Sequence, residues 1–263
     1  MSADQIIDEL CFHKDGLLFD EMTELFKSLF KDSQTYLKIT KEIAKHMYGI
    51  SKTELAVKLK YHQSGRFNER LQELEDAGFI MSFLPYQHAA KGVYYRVIDE
   101  YVNFYLNWIA PKQRVVKQFA SATGYWLDIV KQGKYHAWRG LTFELICYKH
   151  LEKIMQALKL RKTSLPYTWR YVPRAGSKGE GAQIDLLFDR PDDAITLCEI
   201  RYTDKPLVID KVMAKSLLAK KEIFVTRAHT KKQIFMALIS VEGVKPSLYS
   251  EVVDQVVVLE DLF

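Results

Sequence analysis

Residues 182–201, AQIDLLFDRPDDAITLCEIR, constrain the fold more than any other stretch of the chain. Two apolar runs, 183–189 and 195–201, flank the five residues Arg190-Pro191-Asp192-Asp193-Ala194. Such a loop between two such runs predicts an antiparallel hairpin. With that loop, Asp189 pairs Ile195, Leu187 pairs Leu197, Asp185 pairs Glu199 and Gln183 pairs Arg201. Side chains alternate along a strand, and cross-strand partners share a face. Gln183, Asp185, Glu199 and Arg201 are therefore expected together on one face, with Ile184, Leu186, Phe188, Cys198 and Ile200 on the other. Facing carboxylates repel each other, and a cation between them relieves the repulsion.

The flanking sequence predicts an α/β domain. A helix is expected over 137–160 and strands over 167–172, 183–189, 195–201, 222–227 and 255–259. Further helices are expected over 209–220 and 231–239, which gives a central mixed sheet with helices on its faces. Glu144 falls in the helical stripe of Leu141, Tyr148, Leu151, Met155 and Leu158. A carboxylate on an apolar stripe needs a partner. Oxygen ligands from Glu144, Asp185 and Glu199 suit a hard octahedral ion such as Mg²⁺. The competing reading is a structural ion pair of Glu144 with Arg139 or Arg201. The loop 174–182, with three glycines beside Arg174 and Lys178, reads as a flap whose basic side chains contact nucleic acid.

The first part of the chain is helical. Residues 3–31 predict two helices broken near Lys14-Asp15-Gly16, the second with Leu18, Met22, Leu25, Phe26 and Leu29 on one stripe. Residues 34–48 predict a third helix with Tyr36, Ile39, Ile43 and Met47 inward. Ser51-Lys52-Thr53-Glu54 is a capping box, in which hydroxyl and carboxylate each take a free amide at a helix start. Helices at 52–60 and 64–77 follow, then a hairpin of 79–84 and 93–97. Helices with a tight turn, followed by a hairpin, predict a winged helix-turn-helix. Arg66, Arg70 and Lys91 are its candidate phosphate contacts, although Glu69, Glu73, Glu75 and Asp76 share the last helix and repel DNA. Tyr101, Tyr105 and Trp108 read as a packing seam rather than a base-stacking platform. The expected organisation is a helical lead-in over 1–33, the winged helix and aromatic helix over 34–110, a linker over 111–136 and the α/β domain over 137–263.

Charge is segregated along the chain. Residues 1–33 hold three basic and eight acidic groups, whereas residues 201–232 hold nine basic and three acidic groups. Basic segments around the acidic stretch 183–200 suit a site for a polyanion, or form ordinary solvated faces. Three widely spaced cysteines, without a C-x-x-C, point to a reducing cytoplasm. The histidines show no metal-ligand spacing, and no window is apolar enough to span a membrane.

Helix Glu144, then Gln183-Ile184-Asp185, then Cys198-Glu199-Ile200-Arg201 resembles the PD-(D/E)XK nuclease superfamily. More narrowly, LFKSLF, GISKTELA, LQELEDAGFI, YYRVIDEYVNFYL, GLTFELIC, GAQIDLLFDR, LCEIRY and VVVLEDLF resemble, in order, the C-terminal region of a family of archaeal and bacterial AAA-type ATPases. Those proteins join a P-loop ATPase to a winged helix and a nuclease-like domain. The resemblance implies a restriction-nuclease-like α/β fold, Mg²⁺ held by Asp185, Glu199 and Glu144, and Arg201 with Gln183 steadying water or phosphate. It implies DNA and an ATPase domain, in cis or in trans, as partners. The chain carries no G-x-x-x-x-G-K-[ST], so no residue here is expected to bind ATP. Arg201 stands where the nuclease pattern has Lys. Arginine stays protonated and cannot serve as a base, though it can stabilise phosphate charge. Lys205 or Lys211 is the expected substitute for that lysine. These features favour a DNA-binding or regulatory module with weak or no cleavage activity, over a Mg²⁺-dependent DNA endonuclease.

Overall fold

In the computed structural model, Ser2 accepts the Gln5 amide while the Gln5 side chain takes the Ser2 amide, and this reciprocal cap starts α1 (Ala3–Phe12). The structure describes residues 1–61, 65–87, 92–119, 122, 124–174, 176 and 180–263. Lys91 and Lys178, two of the expected nucleic-acid contacts, lie outside the described residues. The chain divides into two units. One comprises Met1–Phe83 and Lys91–Arg139, the other Leu84–Ala90 and Gly140–Phe263.

In the first unit, α2 (Glu21–Leu29) and α3 (Ser33–Ala44) bury Met22, Phe26, Tyr36, Ile39 and Ile43, as their periodicity predicts. Leu29 and Met47, expected inward, are exposed. Strand β1 (Ile50–Ser51) leads into α4 (Lys52–Leu59), then α5 (Gly65–Asp76), β2 (Ile80–Phe83) and β3 (Tyr94–Val97). The three strands form an antiparallel sheet in the order β1-β3-β2. Only half of the expected capping box forms at α4. The Ser51 hydroxyl accepts the Glu54 amide at 3.2 Å, whereas the Glu54 carboxylate lies 3.7 Å from Lys58.

Asp99 caps α6 (Glu100–Phe104) by accepting the Val102 amide. A π-helical turn, Tyr105–Ile109, and a 3₁₀ turn follow, where Pro111 supplies no amide for a continuous helix. Tyr105 and Trp108 are buried, and the Tyr101 hydroxyl donates to the Leu18 carbonyl and accepts the Met22 amide. The aromatic stripe is therefore a packing seam. The expected linker is not one. It contains α7 (Gln113–Phe119) and α8 (Tyr125–Ile129), and Val116, Trp126 and Ile129 join the core of the first unit. The buried Asp8 carboxylate holds α8 in place, accepting the amides of Gly124 at 2.6 Å and Trp126 at 2.9 Å. The boundary between units falls later than expected, between Arg139 and Gly140 within α9 (Gly133–Lys149).

The second unit continues with α10 (Leu151–Ala157), β4 (Leu165–Tyr171), β5 (Ala182–Asp189), β6 (Ala194–Arg201), β7 (Leu207–Val208), α11 (Lys211–Ala228), β8 (Gln233–Ser240), β9 (Val244–Lys245) and β10 (Gln255–Val258). A five-stranded mixed sheet runs β10-β8-β6-β5-β4, and β7 pairs β9 separately. β4, β5 and β6 are antiparallel neighbours, while β6, β8 and β10 are parallel. The whole is a mixed α and β architecture, and no described helix is long and apolar enough to cross a membrane.

Three expected elements are corrected. The helix expected over 137–160 is two helices, interrupted at His150. Residues 222–227 are helical rather than a strand. Asp210 caps α11 by accepting the Met213 amide, and Ala214, Leu217, Phe224 and Ala228 are buried at helical spacing. Residues 231–239, expected as a helix, contain most of β8. A central parallel strand is buried on both faces, so its apolar run has no period to read. The turn expected in the wing also behaves differently. Leu84–Ala90 belongs to the second unit, where buried Tyr86 packs against Tyr167 and Phe224 and its amide donates to the Thr168 carbonyl at 2.8 Å.

Candidate functional site

The hairpin keeps the register its loop predicts only as far as Leu186, and the expected pairs Asp185–Glu199 and Gln183–Arg201 are not among its partners. Asp189 pairs Ile195, Phe188 pairs Thr196, Leu187 pairs Leu197 and Leu186 pairs Cys198. On its other side β5 slips against β4, from Tyr167 opposite Leu187 to Trp169 opposite Ile184. Three steps along β5 thus match two along β4, which is a bulge at Asp185–Leu186. The bulge reverses the alternation, so Ile184 shares the apolar cluster of Leu187, Ile195 and Leu197 instead of the opposite face. It also changes the bonding of Asp185. The Tyr148 hydroxyl of α9 donates to its carbonyl, and its carboxylate accepts the Ile200 amide at 3.2 Å.

Asp185 and Glu199 are both buried, 8% and 4% exposed, so each needs partners within the protein. The Gln183 amide donates to Asp185 Oδ1 at 3.2 Å. Glu199 is gripped on both oxygens. Arg201 lies 2.6 Å from Oε1, and Lys220 of α11 lies 2.5 Å from Oε2. Burial, and next the Glu199 charge, push the Asp185 carboxyl above the ordinary carboxylate range, against the Ile200 amide, Lys220 and Gln183. Two buried carboxylates are thus met by two cations, of which Lys220 is the more enclosed and Arg201 is half-exposed.

Lys220 was missed in the sequence, where Lys205 and Lys211 are the nearer substitutes. Both of those are exposed. Lys220 has no motif to mark it and stands 21 residues after Glu199. Its signal is helical phase. It lies one turn from both Leu217 and Phe224, on the face of α11 that meets the sheet.

α9 buries Phe143, Cys147 and Tyr148, and Glu144, one turn before Cys147 and Tyr148, is half-buried on the same face. The charges of both Glu144 and Asp185 act on the buried Cys147 thiol, which burial pushes far above its ordinary value. Among the described residues no three His, Cys, Asp or Glu side chains gather to hold a metal ion. Both Glu199 oxygens carry cations and both Asp185 oxygens accept hydrogen bonds. Both carboxylates are thus satisfied by protein partners without a divalent ion.

Arg174 is exposed in the second unit. Arg66 and Arg70 belong to the first unit and border a cleft of about 590 Å³ together with Glu69, Glu73 and Asp76. Arg70 is held by Asp32 at 2.8 Å, so it is tied to a carboxylate rather than presented to phosphate.

The chain matches no family model, no curated protein and no solved structure in the comparisons made.

The Asp185 environment sets a pH dependence. A carboxyl whose pKa rises on folding contributes stability that is complete below its unfolded pKa and is lost as pH rises through the folded value. Asp185→Asn keeps the side chain neutral at every pH, and its oxygen still accepts the Ile200 amide. In thermal melts the variant is expected to match the wild type near about pH 4 and to melt higher near about pH 8. A lower melting temperature than the wild type at the higher pH would mean that the ionised carboxylate supports the fold.

Proposed function

We propose that the chain is a nuclease-like DNA-binding or regulatory module of the AAA-type ATPase family it resembles, with weak or no cleavage activity. One observation carries this reading: the buried Asp185–Glu199 pair is neutralised by Arg201 and Lys220 rather than left open. A carboxylate paired with two cations is satisfied within the fold without a metal ion. The same cations lie beside a basic helix, and basic surface attracts polyanions. Within the first unit, α3, α4 and α5 with the small antiparallel sheet support a winged-helix reading. Its α5 face, with Arg70 paired to Asp32 and three acidic groups at the same cleft, favours protein contact over DNA contact. The ATPase domain, in cis or in trans, is the proposed protein partner.

The test is fluorescence anisotropy with labelled duplex DNA, with plasmid nicking in Mg²⁺ and Mn²⁺ on the same samples. Binding through phosphates is expected to weaken steeply between about 50 and 200 mM salt, because each neutralised phosphate releases counterions. No nicking is expected. An affinity flat across that range would reject nucleic acid as the partner. Nicking that disappears in Asp185→Ala would establish the second reading, a Mg²⁺-dependent DNA endonuclease. Lys220 favours that second reading, because its ammonium meets Glu199 where the nuclease pattern expects a lysine and Arg201 stands instead. Cleavage would require Glu199 to exchange its cations for the ion.

A further inference from the structure

Next to the carboxylate pair, α11 borders a cleft of about 300 Å³. Lys215, Ser216, Ala219 and Lys220 line it from the helix, with Glu180 and Gly181 opposite. We propose that this cleft holds one backbone phosphate of a polynucleotide and makes no contact with its bases. The proposal rests on the nucleic-acid reading above and assigns that reading a location.

Three features support it. The first is the donor set. Lys215 is exposed and holds no ion pair among the described residues. An ammonium has three N–H donors, and Glu199 Oε2 engages Lys220 from one side, leaving donors for the cleft. The Ser216 hydroxyl supplies another donor between the two lysines. The second feature is access. Ser216 and Ala219 are the small residues of this helix face, so an anion can approach both ammonium groups closely. The third is what the cleft lacks. Among the described residues no aromatic ring lines it, so it offers no stacking platform for a base. At the low end of ligand-site volumes, it suits a compact oxyanion. Glu180 is the one acid on the lining and leaves a net positive balance against the two lysines. Phosphate contacts position a nucleic acid without reading its sequence, so this subsite is sequence-blind.

The experiment measures anisotropy across a salt series with single-stranded and duplex DNA of two base compositions. It compares the wild type, Lys215→Ala, Ser216→Asp and the exposed control Lys245→Ala. In parallel, amide shifts of the ¹⁵N-labelled chain are followed on addition of inorganic phosphate and of ATP. Lys215→Ala is expected to bind every DNA about tenfold more weakly, with a salt slope smaller by about 1, as the loss of a single phosphate contact dictates. Ser216→Asp places a carboxylate where the phosphate sits and is expected to abolish the contact. Lys245→Ala is expected to bind like the wild type, and ATP to shift the amides of residues 215–220 no more than inorganic phosphate does. DNA binding unchanged in both cleft variants would overturn the cleft proposal and leave the nucleic-acid reading standing. Amide shifts with ATP or phosphate in a protein that binds no DNA would overturn the polynucleotide as ligand. Loss of base-composition independence would overturn the sequence-blind assignment, and no binding of either kind would overturn both readings.

Discussion

Replacing Lys220 with methionine is expected to lower the stability of the second unit by about 3–5 kcal/mol, the cost of removing one partner from a buried ion pair. Glu199 is 4% exposed, and its Oε2 meets the Lys220 ammonium at 2.5 Å. Arg201 remains on Oε1, but its side chain is 51% exposed, so solvent screens it and it replaces little of the lost interaction. The repulsion between Asp185 and Glu199, which after burial is the second cause of the raised Asp185 carboxyl, is then less compensated. Adding Glu199→Gln to Lys220→Met removes the stranded charge, and the double variant is expected to recover most of the loss. That recovery separates an electrostatic cost from a packing cost, because the methionine is the same in both proteins. Urea unfolding followed by circular dichroism measures all three. A loss below about 0.5 kcal/mol for Lys220→Met, the size of an ordinary surface substitution, would mean that the pair contributes little to the fold.

How legible such features are depends on the physics behind each. The hairpin register was readable because a fixed loop and a period of two leave one pairing that hides the apolar face. The bulge was not, because it arises on the other edge of β5, from pairing with β4, and the hairpin sequence carries no trace of that partner. Glu199 and Arg201 stand two residues apart on one strand and meet as the alternation requires. Lys220 reaches the same carboxylate only through the crossover helix, a tertiary event without a local pattern. The exchange of helix and strand over 222–239 has a similar origin. Ile223, Phe224 and Val225 carry strand propensity, and α11 overrides it by burying Phe224 against the sheet. Glu144 was readable as part of an inward stripe, because Cys147 and Tyr148, one turn further along α9, are both buried.

The segment read as a linker gives the second large effect. Trp126→Ala is expected to destabilise the first unit by about 3–5 kcal/mol, the usual range for deleting a fully buried large aromatic side chain. Trp126 is 2% exposed, stacks with Phe12 and meets Phe104, Trp108 and Tyr135 edge-on, with ring centroids 5.1–6.2 Å away. Its indole N–H donates to Asp4 at 3.0 Å, and its amide donates to Asp8. Pro111, Gly124 and Gly133 disguise this packing as a flexible connection. The partners that bury Trp126 come from α1, more than 100 positions earlier, and from Phe104, Trp108 and Tyr135, so no short window of sequence contains them all. A linker residue tolerates truncation within about 0.5 kcal/mol. Chemical denaturation followed by far-ultraviolet circular dichroism distinguishes the two cases. A near-wild-type midpoint for Trp126→Ala would return residues 111–136 to the role of a connector, whereas a midpoint shifted by several kcal/mol at unchanged slope would make them part of the first unit's core.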